Sequence, residues 1–189
     1  MKSTLIIVRR YIYLALYYTI AQFLPNSYIP IIGRGSNYIR ISLCKGIFKS
    51  AGKIETINRR VYFGTGSHIE IGDGSGIGEA AHLPADTVIG KNVMISRNTF
   101  ILDRNHKFDR IDIPITKQGF LPAKQTIIED DCWIGLRCIL TPGRHVSKGT
   151  IVGMGSVLTK DFPPYSIVGG APAKYIKSRN INVDKCHCQ

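Results

Sequence analysis

Ile128-Glu129-Asp130-Asp131-Cys132-Trp133-Ile134-Gly135-Leu136-Arg137-Cys138-Ile139-Leu140-Thr141-Pro142-Gly143-Arg144-His145-Val146, residues 128–146, puts a branched aliphatic residue at every sixth position. The step continues to Val152 and Leu158. Upstream, beyond an interruption, it runs through Ile71, Ile77, Leu83, Ile89, Ile95 and Ile101 without a miss. The fifth residue of most hexads is small: Ser75, Ala81, Thr87, Val93 and Thr99, then Cys132, Cys138, Thr150 and Ser156. Gly often follows the aliphatic position, as at Gly72, Gly78, Gly90, Gly135 and Gly153. A period of six fits neither the helical period of 3.6 nor a hairpin. It fits a short strand and a bend, repeated so that three flat faces close one triangular coil. Aliphatic residues then point inward, small residues fill the space between layers, and coils stack about 4.8 Å apart through backbone hydrogen bonds.

The fold expected is therefore mainly β, a parallel β-helix of hexapeptide repeats with an N-terminal α-helical segment and a protruding loop. Three regions follow: residues 1–60, basic and helical; residues 61–165, the spiral, with a loop at 107–127; and residues 166–189, a C-terminal tail. Val61, Phe63 and Ile69 are expected to turn inward in a partial first coil. Cys132 and Cys138 occupy equivalent small positions on successive faces and read as buried filler. Five Cys, an odd number without regular spacing, argue against a secreted disulfide framework and for a reducing compartment. Cys186-His187-Cys188 supplies too few ligands to surround a metal ion, so no metal is expected.

Charge is uneven. Lys and Arg number 25 and Asp and Glu 13, for a net charge of +12. Residues 1–60 hold ten of the basic residues and one acidic residue, Glu55, so they carry most of that charge. This distribution argues against a uniformly basic nucleic-acid binder and points to an anionic surface near the N-terminus. Residues 11–24 are largely apolar but too short for a span, and extending them back brings in Arg9 and Arg10. No small-residue cleavage site follows. A helix ending near Pro25-Asn26 is expected instead. A second helix, about Asn37 to Ser50, would set Ile39, Leu43 and Ile47 on one line, with Arg40, Lys45 and Lys49 largely off it. These helices are expected to pack on the body or a neighbouring subunit, or to dock peripherally on the inner face of the membrane.

Three segments resemble the hexapeptide-repeat acyltransferases, in particular the sugar O-acetyltransferases: galactoside, maltose, nodulation-factor, and capsule or lipopolysaccharide enzymes. They are Asp103-Arg104-Asn105-His106-Lys107-Phe108; Asp130-Asp131-Cys132-Trp133-Ile134-Gly135 leading to Leu140-Thr141-Pro142-Gly143; and Gly155 to Pro164 with Gly169-Gly170-Ala171-Pro172-Ala173-Lys174. The resemblance implies a left-handed helix, a homotrimer, and an active site between neighbouring subunits; the reducing compartment read from the cysteines makes a cytoplasmic location the expectation. It also implies an acetyl-CoA-dependent O-acetyltransferase acting on a sugar or polysaccharide precursor. His106 matches the family's base, a His just before an extended loop. The chemistry needs such a group, because a sugar hydroxyl must lose its proton as it attacks a thioester, and imidazole titrates near pH 6.5.

By the same resemblance Leu136 and Met154 lie along the pantetheine arm. Thr159 and Lys160 match the family's Thr-Lys pair, while Lys174 and Lys177 match basic residues near the cofactor phosphates. Ser75, Asn105, Phe108 and Asp109 are the acceptor candidates. Related enzymes carry Asn where Gly74 stands here, so an amide contact is either missing or supplied by Ser75. Alternatives are an amino sugar, serine or antibiotic as acceptor, or a non-catalytic scaffold.

Overall fold

The computed structural model describes residues 2–179, and the chain forms a three-sided parallel β-solenoid capped by a helical hairpin. The tail with Cys186, His187 and Cys188 lies outside the described residues. The first face stacks Ser50–Ala51, Glu70–Ile71, Val88–Ile89, Ile127–Ile128 and His145–Val146. The second stacks Thr56–Ile57, Gly76–Ile77, Met94–Ile95, Trp133–Ile134 and Ile151–Val152. Its last members are Ser166–Gly169 and, antiparallel to it, Lys174–Ser178. The third face holds Phe100–Ile101, Ile139–Leu140 and Val157–Leu158, preceded by single bridges joining Tyr62 to His82 and His82 to Phe100.

Register gives the coil its length. Gly76 pairs with Met94, Trp133 with Ile151 and Ile139 with Val157, each eighteen residues on. Phe100 pairs with Ile139 across 39 positions, so 21 residues are inserted between them. All twelve hexad aliphatics are buried, and so are the nine small residues of the fifth positions. Ser75, Ser156 and Thr99 satisfy their hydroxyls on backbone within the wall, as with Ser75 Oγ donating to the Gly90 carbonyl at 2.7 Å.

Val61, Phe63 and Ile69 are indeed buried, but the spiral begins at Ser50 rather than 61. Ser50, Thr56 and Tyr62 each pair twenty residues ahead, with Glu70, Gly76 and His82. Two extra residues near Gly64-Thr65-Gly66 account for the difference and break the six-residue step there.

Helix α1 spans Lys2–Thr19 and α2 spans Ile32–Ile47. Thus α1 stops short of Pro25, and a single 3₁₀ turn, Ala21–Phe23, carries the chain onward. Leu24 is extended before Pro25, and the Gln22 carbonyl is taken by the Arg60 N–H at 3.0 Å. Helix α2 starts before Asn37 and ends before Ser50, because Phe48 is already extended and leads into the first strand. Its buried stripe is Gly33, Ser36, Arg40, Cys44 and Ile47. The line expected through Ile39 is therefore displaced by one residue: Ile39 is 45% exposed and Arg40 is fully buried.

Arg40 is the bolt of the cap. Its guanidinium donates to the carbonyls of Ile57 (2.6 Å), Leu24 (3.3 Å) and Pro25 (3.2 Å) and to Ser27 Oγ (3.0 Å). Carbonyls that would otherwise be orphaned are thereby satisfied, which is what lets a charge sit in the interior. The two helices meet closely at Gly46, where a Cβ would lie 2.1 Å from the Tyr13 ring. Tyr17 and Phe48 then cover Phe63, with ring centroids 4.7 and 5.1 Å apart, closing the open end of the solenoid.

Leu140→Ala, at the centre of the stack, is expected to lower unfolding free energy by about 2–5 kcal/mol in urea denaturation. Met94→Ala, on the outer surface, is expected to change it by less than about 0.5 kcal/mol. Equal effects would contradict the inward–outward assignment.

Candidate active site

The 21-residue insertion leaves the solenoid at the corner between the third and first faces. It leaves as a narrow antiparallel ribbon. Lys124 N–H donates to the Asp103 carbonyl (2.8 Å), Leu121 N–H to Asn105 (2.8 Å), and Lys107 N–H to Gly119 (3.0 Å). His106 lies within this ribbon, bridged to Phe120, and the two rings stand 4.2 Å apart. The imidazole is thus exposed to solvent yet anchored at the base of the excursion. The Arg104 guanidinium lies over the same phenyl ring at 5.9 Å. Farther out, Gln118 Nε2 donates to the carbonyls of Arg110 (2.7 Å) and Ile113 (3.1 Å), and Arg110 pairs with Asp112. Phe120 and Gln118 are braces to which sequence reasoning assigned no role. Both fall outside the hexads, so no periodicity marks them.

The residues expected to hold the cofactor fall on two edges. Thr159 and Lys160 follow Leu158 at the corner from which the ribbon departs, two coils beyond it. Both are exposed, and the Lys160 ammonium sits 5.5 Å above the Phe162 ring. Leu136 and Met154 stand one above the other at the corner between the second and third faces, the Leu136 carbonyl accepting from Gly155 N–H at 2.7 Å. One whole face separates them from His106 within a single chain. Lys174 and Lys177 are exposed on the final hairpin. With Lys160 they form three lysines free of ion pairs among the described residues, which suits an anionic phosphate-bearing ligand.

The acceptor candidates divide. Asn105, Phe108 (67% exposed) and Asp109 lie on the ribbon and its outer loop, open to a ligand. Ser75 does not. Its side chain is fully buried, donating to the Gly90 carbonyl and accepting from the Val93 N–H at 2.9 Å, so it ties layers together rather than reaching an acceptor. Nor can it replace an amide at position 74. Gly74 has φ +71°, and a Cβ there would come within 2.3 Å of Asn92 Oδ1.

A cavity of about 690 Å³ on the second face was not anticipated. Trp133, Leu136, Met94 and Arg97 line it from the coils, and Asn26 and Tyr28 close it from the helical connector. Trp133 Nε1 donates to Ser96 Oγ at 3.3 Å. The buried cysteines are chemically quiet: burial pushes the Cys132 thiol up to about 11 and raises that of Cys138. Among the described residues no cluster of His, Cys, Asp and Glu could hold a metal ion.

Comparison with known proteins finds relatives among acyltransferases. The family described as "Hexapeptide repeat of succinyl-transferase" matches residues 125–160. A chloramphenicol acetyltransferase of Agrobacterium fabrum is 49% identical over 61 residues, which are 32% of this chain and 29% of that protein. Galactoside O-acetyltransferase of Escherichia coli is 29% identical over 143 residues, covering 75% of this chain and 69% of that one. A solved galactoside acetyltransferase in complex with coenzyme A superimposes with a TM-score of 0.74 at 26% identity, over 95% of this chain and 84% of the other. The chain thus spans less than a third of the first relative and about two thirds of the second.

A thiol of pKa about 11 is ionised to roughly a thousandth at pH 8. In a Cys186→Ser/Cys188→Ser background, native protein is expected to resist a thiol reagent at pH 8 and to label at three cysteines once unfolded. Prompt labelling of Cys132 in the native state would contradict its role as filler.

Proposed function

We propose that this chain is a hexapeptide-repeat acyltransferase, an acetyl-CoA-dependent O-acetyltransferase that acylates a hydroxyl of a sugar or polysaccharide precursor. One observation carries the reading. His106 is held by the Phe120 ribbon on the same edge of the solenoid that carries Thr159 and Lys160. A base and a cofactor-binding pair therefore share one side of the molecule, with a loop able to cover what lies between.

In this reading His106 is the general base. Its neutral imidazole takes the acceptor hydroxyl proton while the oxygen bonds to the thioester carbon. The tetrahedral adduct then expels the thiolate, which recovers the proton from the imidazolium. A positioned base of this kind contributes about 10²–10⁴ in rate. Phe120 restricts the ring and so lowers the orientational cost of each turnover. Thr159, Lys160, Lys174 and Lys177 hold the phosphate-bearing end of acetyl-CoA, and Leu136 and Met154 border its arm. Asn105, Phe108 and Asp109 face the acceptor, Phe108 offering a ring on which a sugar can stack.

The two edges also support a homotrimer. Leu136 and Met154 lie across the third face from His106 in one chain, so a neighbouring copy is needed to bring the corner between the second and third faces of one protomer (its second corner) against the ribbon-bearing corner of the next. That face exposes Tyr62, Phe100 and Ile139, apolar groups that such packing would cover. A second reading, an antibiotic hydroxyl as acceptor, is favoured by the 49% identity to a chloramphenicol acetyltransferase. Labelled acetyl-CoA offered with galactosides, nucleotide sugars, amino sugars, serine and chloramphenicol separates the two.

His106→Ala is expected to lower kcat by about 10²–10⁴ with unchanged circular dichroism. Activity within about threefold of the parent would contradict its assignment as base. Lys160→Ala is expected to raise KM for acetyl-CoA severalfold with kcat little changed.

A further inference from the structure

We propose that α1 docks on an anionic lipid surface through the side it turns away from the body. The helix is apolar nearly all round. Tyr13, Leu14, Tyr17 and Tyr18 pack against the core. Ile12 and Leu16, on the opposite side, are exposed, as are Tyr11 at the flank and Ile20 just beyond the end of the helix. Toward the N-terminus Ile6, Ile7, Val8 and Arg9 are all exposed. Four consecutive helical residues point in four directions, so this turn stands clear of the protein body. A helix with this distribution is at home only where apolar surroundings cover its second side. The connector adds Tyr28, Ile29, Ile31 and Ile32, all exposed. Ile31 is 89% exposed and held at φ 66°, a conformation costly for a β-branched residue.

Charge identifies the partner. From Lys2 to Ile54 the chain has eight Lys and Arg and not one Asp or Glu. Arg40 is spent in the interior and Lys49 pairs with Glu70, which leaves Arg9, Arg10, Arg34, Lys45 and Lys53 without an ion pair among the described residues. A second copy laid on the outer side of α1 would bring like charges together, and α1 itself carries no carboxylate to neutralise them. An anionic leaflet attracts every one of them. Among the described residues no helix is long and apolar enough to cross a membrane. The geometry is therefore that of a helix lying in the interface plane.

The test is flotation of the full-length protein with vesicles of phosphatidylglycerol and phosphatidylethanolamine, against vesicles of phosphatidylcholine alone, at low and high salt. Binding is expected to the anionic vesicles, to weaken with salt, and to fall about tenfold or more in Ile12→Glu. The mass of Ile12→Glu by light scattering, and its acetyl transfer to a soluble acceptor, are expected to equal the parent's. Two results would overturn the proposal: parent protein that stays in solution with every vesicle, or an Ile12→Glu variant of smaller oligomeric mass, which would show that the face joins copies of the chain. Neither readout depends on acetyl transfer, so failure of the proposed activity leaves this test intact.

Discussion

Every feature of this molecule is subject to one constraint, that each coil must lie in register on the one below. An inward aliphatic residue rests on the aliphatic residue eighteen places earlier, and the backbone between them is hydrogen bonded, as where Trp133 N–H meets the Thr150 carbonyl at 2.9 Å. A coil cannot lengthen inward without opening a void in a close-packed core. Extra residues must leave sideways at a corner. The two that the chain adds near Gly64-Thr65-Gly66 and the 21 between Phe100 and Ile139 both do so. An excursion rooted in this way starts from two fixed ends, and its first residues inherit the rigidity of the wall. His106 is among them.

The same constraint explains the helical hairpin. A stack of coils exposes a raw apolar end, and repeat architectures need a cap there. Tyr17, Cys44, Ile47 and Phe48 form it, fully or almost fully buried over Phe63. Arg40 fastens the cap by satisfying carbonyls of the connector and of the first coil together. Only one side of α1 is used in this, and the opposite side remains apolar and basic. One side of the cap thus seals the core, and the other is left for the lipid surface proposed above.

What could be read in the sequence follows from how directly a physical rule acts on each residue. The hexads were legible because each aliphatic residue repeats the same environment, so its spacing is a direct image of the fold. The first coil was not, since Ala51 is small and the insertion after Tyr62 puts Ile57 out of step with Ile71. Arg40 was placed off the buried line because charge is normally a mark of the surface. Only the five acceptor atoms gathered around it, from segments far apart in the chain, reverse that rule. Ser75 was read as a ligand contact from its position in a motif, whereas its fifth-position place in the hexad already implied an inward side chain. The loop after His106 carried no period at all, so Phe120 and Gln118 emerge only from the folded ribbon. The edges that hold His106 and Leu136 apart were likewise invisible before the coils were closed into three faces.

The reading of this solenoid as an enzyme depends on a cleft between copies in which the ribbon of one faces the second corner of another. A crystal structure of the protein with coenzyme A and an acceptor glycan measures this most directly. The account predicts the thiol and an acceptor hydroxyl in such a cleft, with a His106 nitrogen about 3 Å from that hydroxyl and Leu136 and Met154 of the facing copy along the arm. A ligand bound away from His106, or a monomeric solenoid with no cleft, would contradict it.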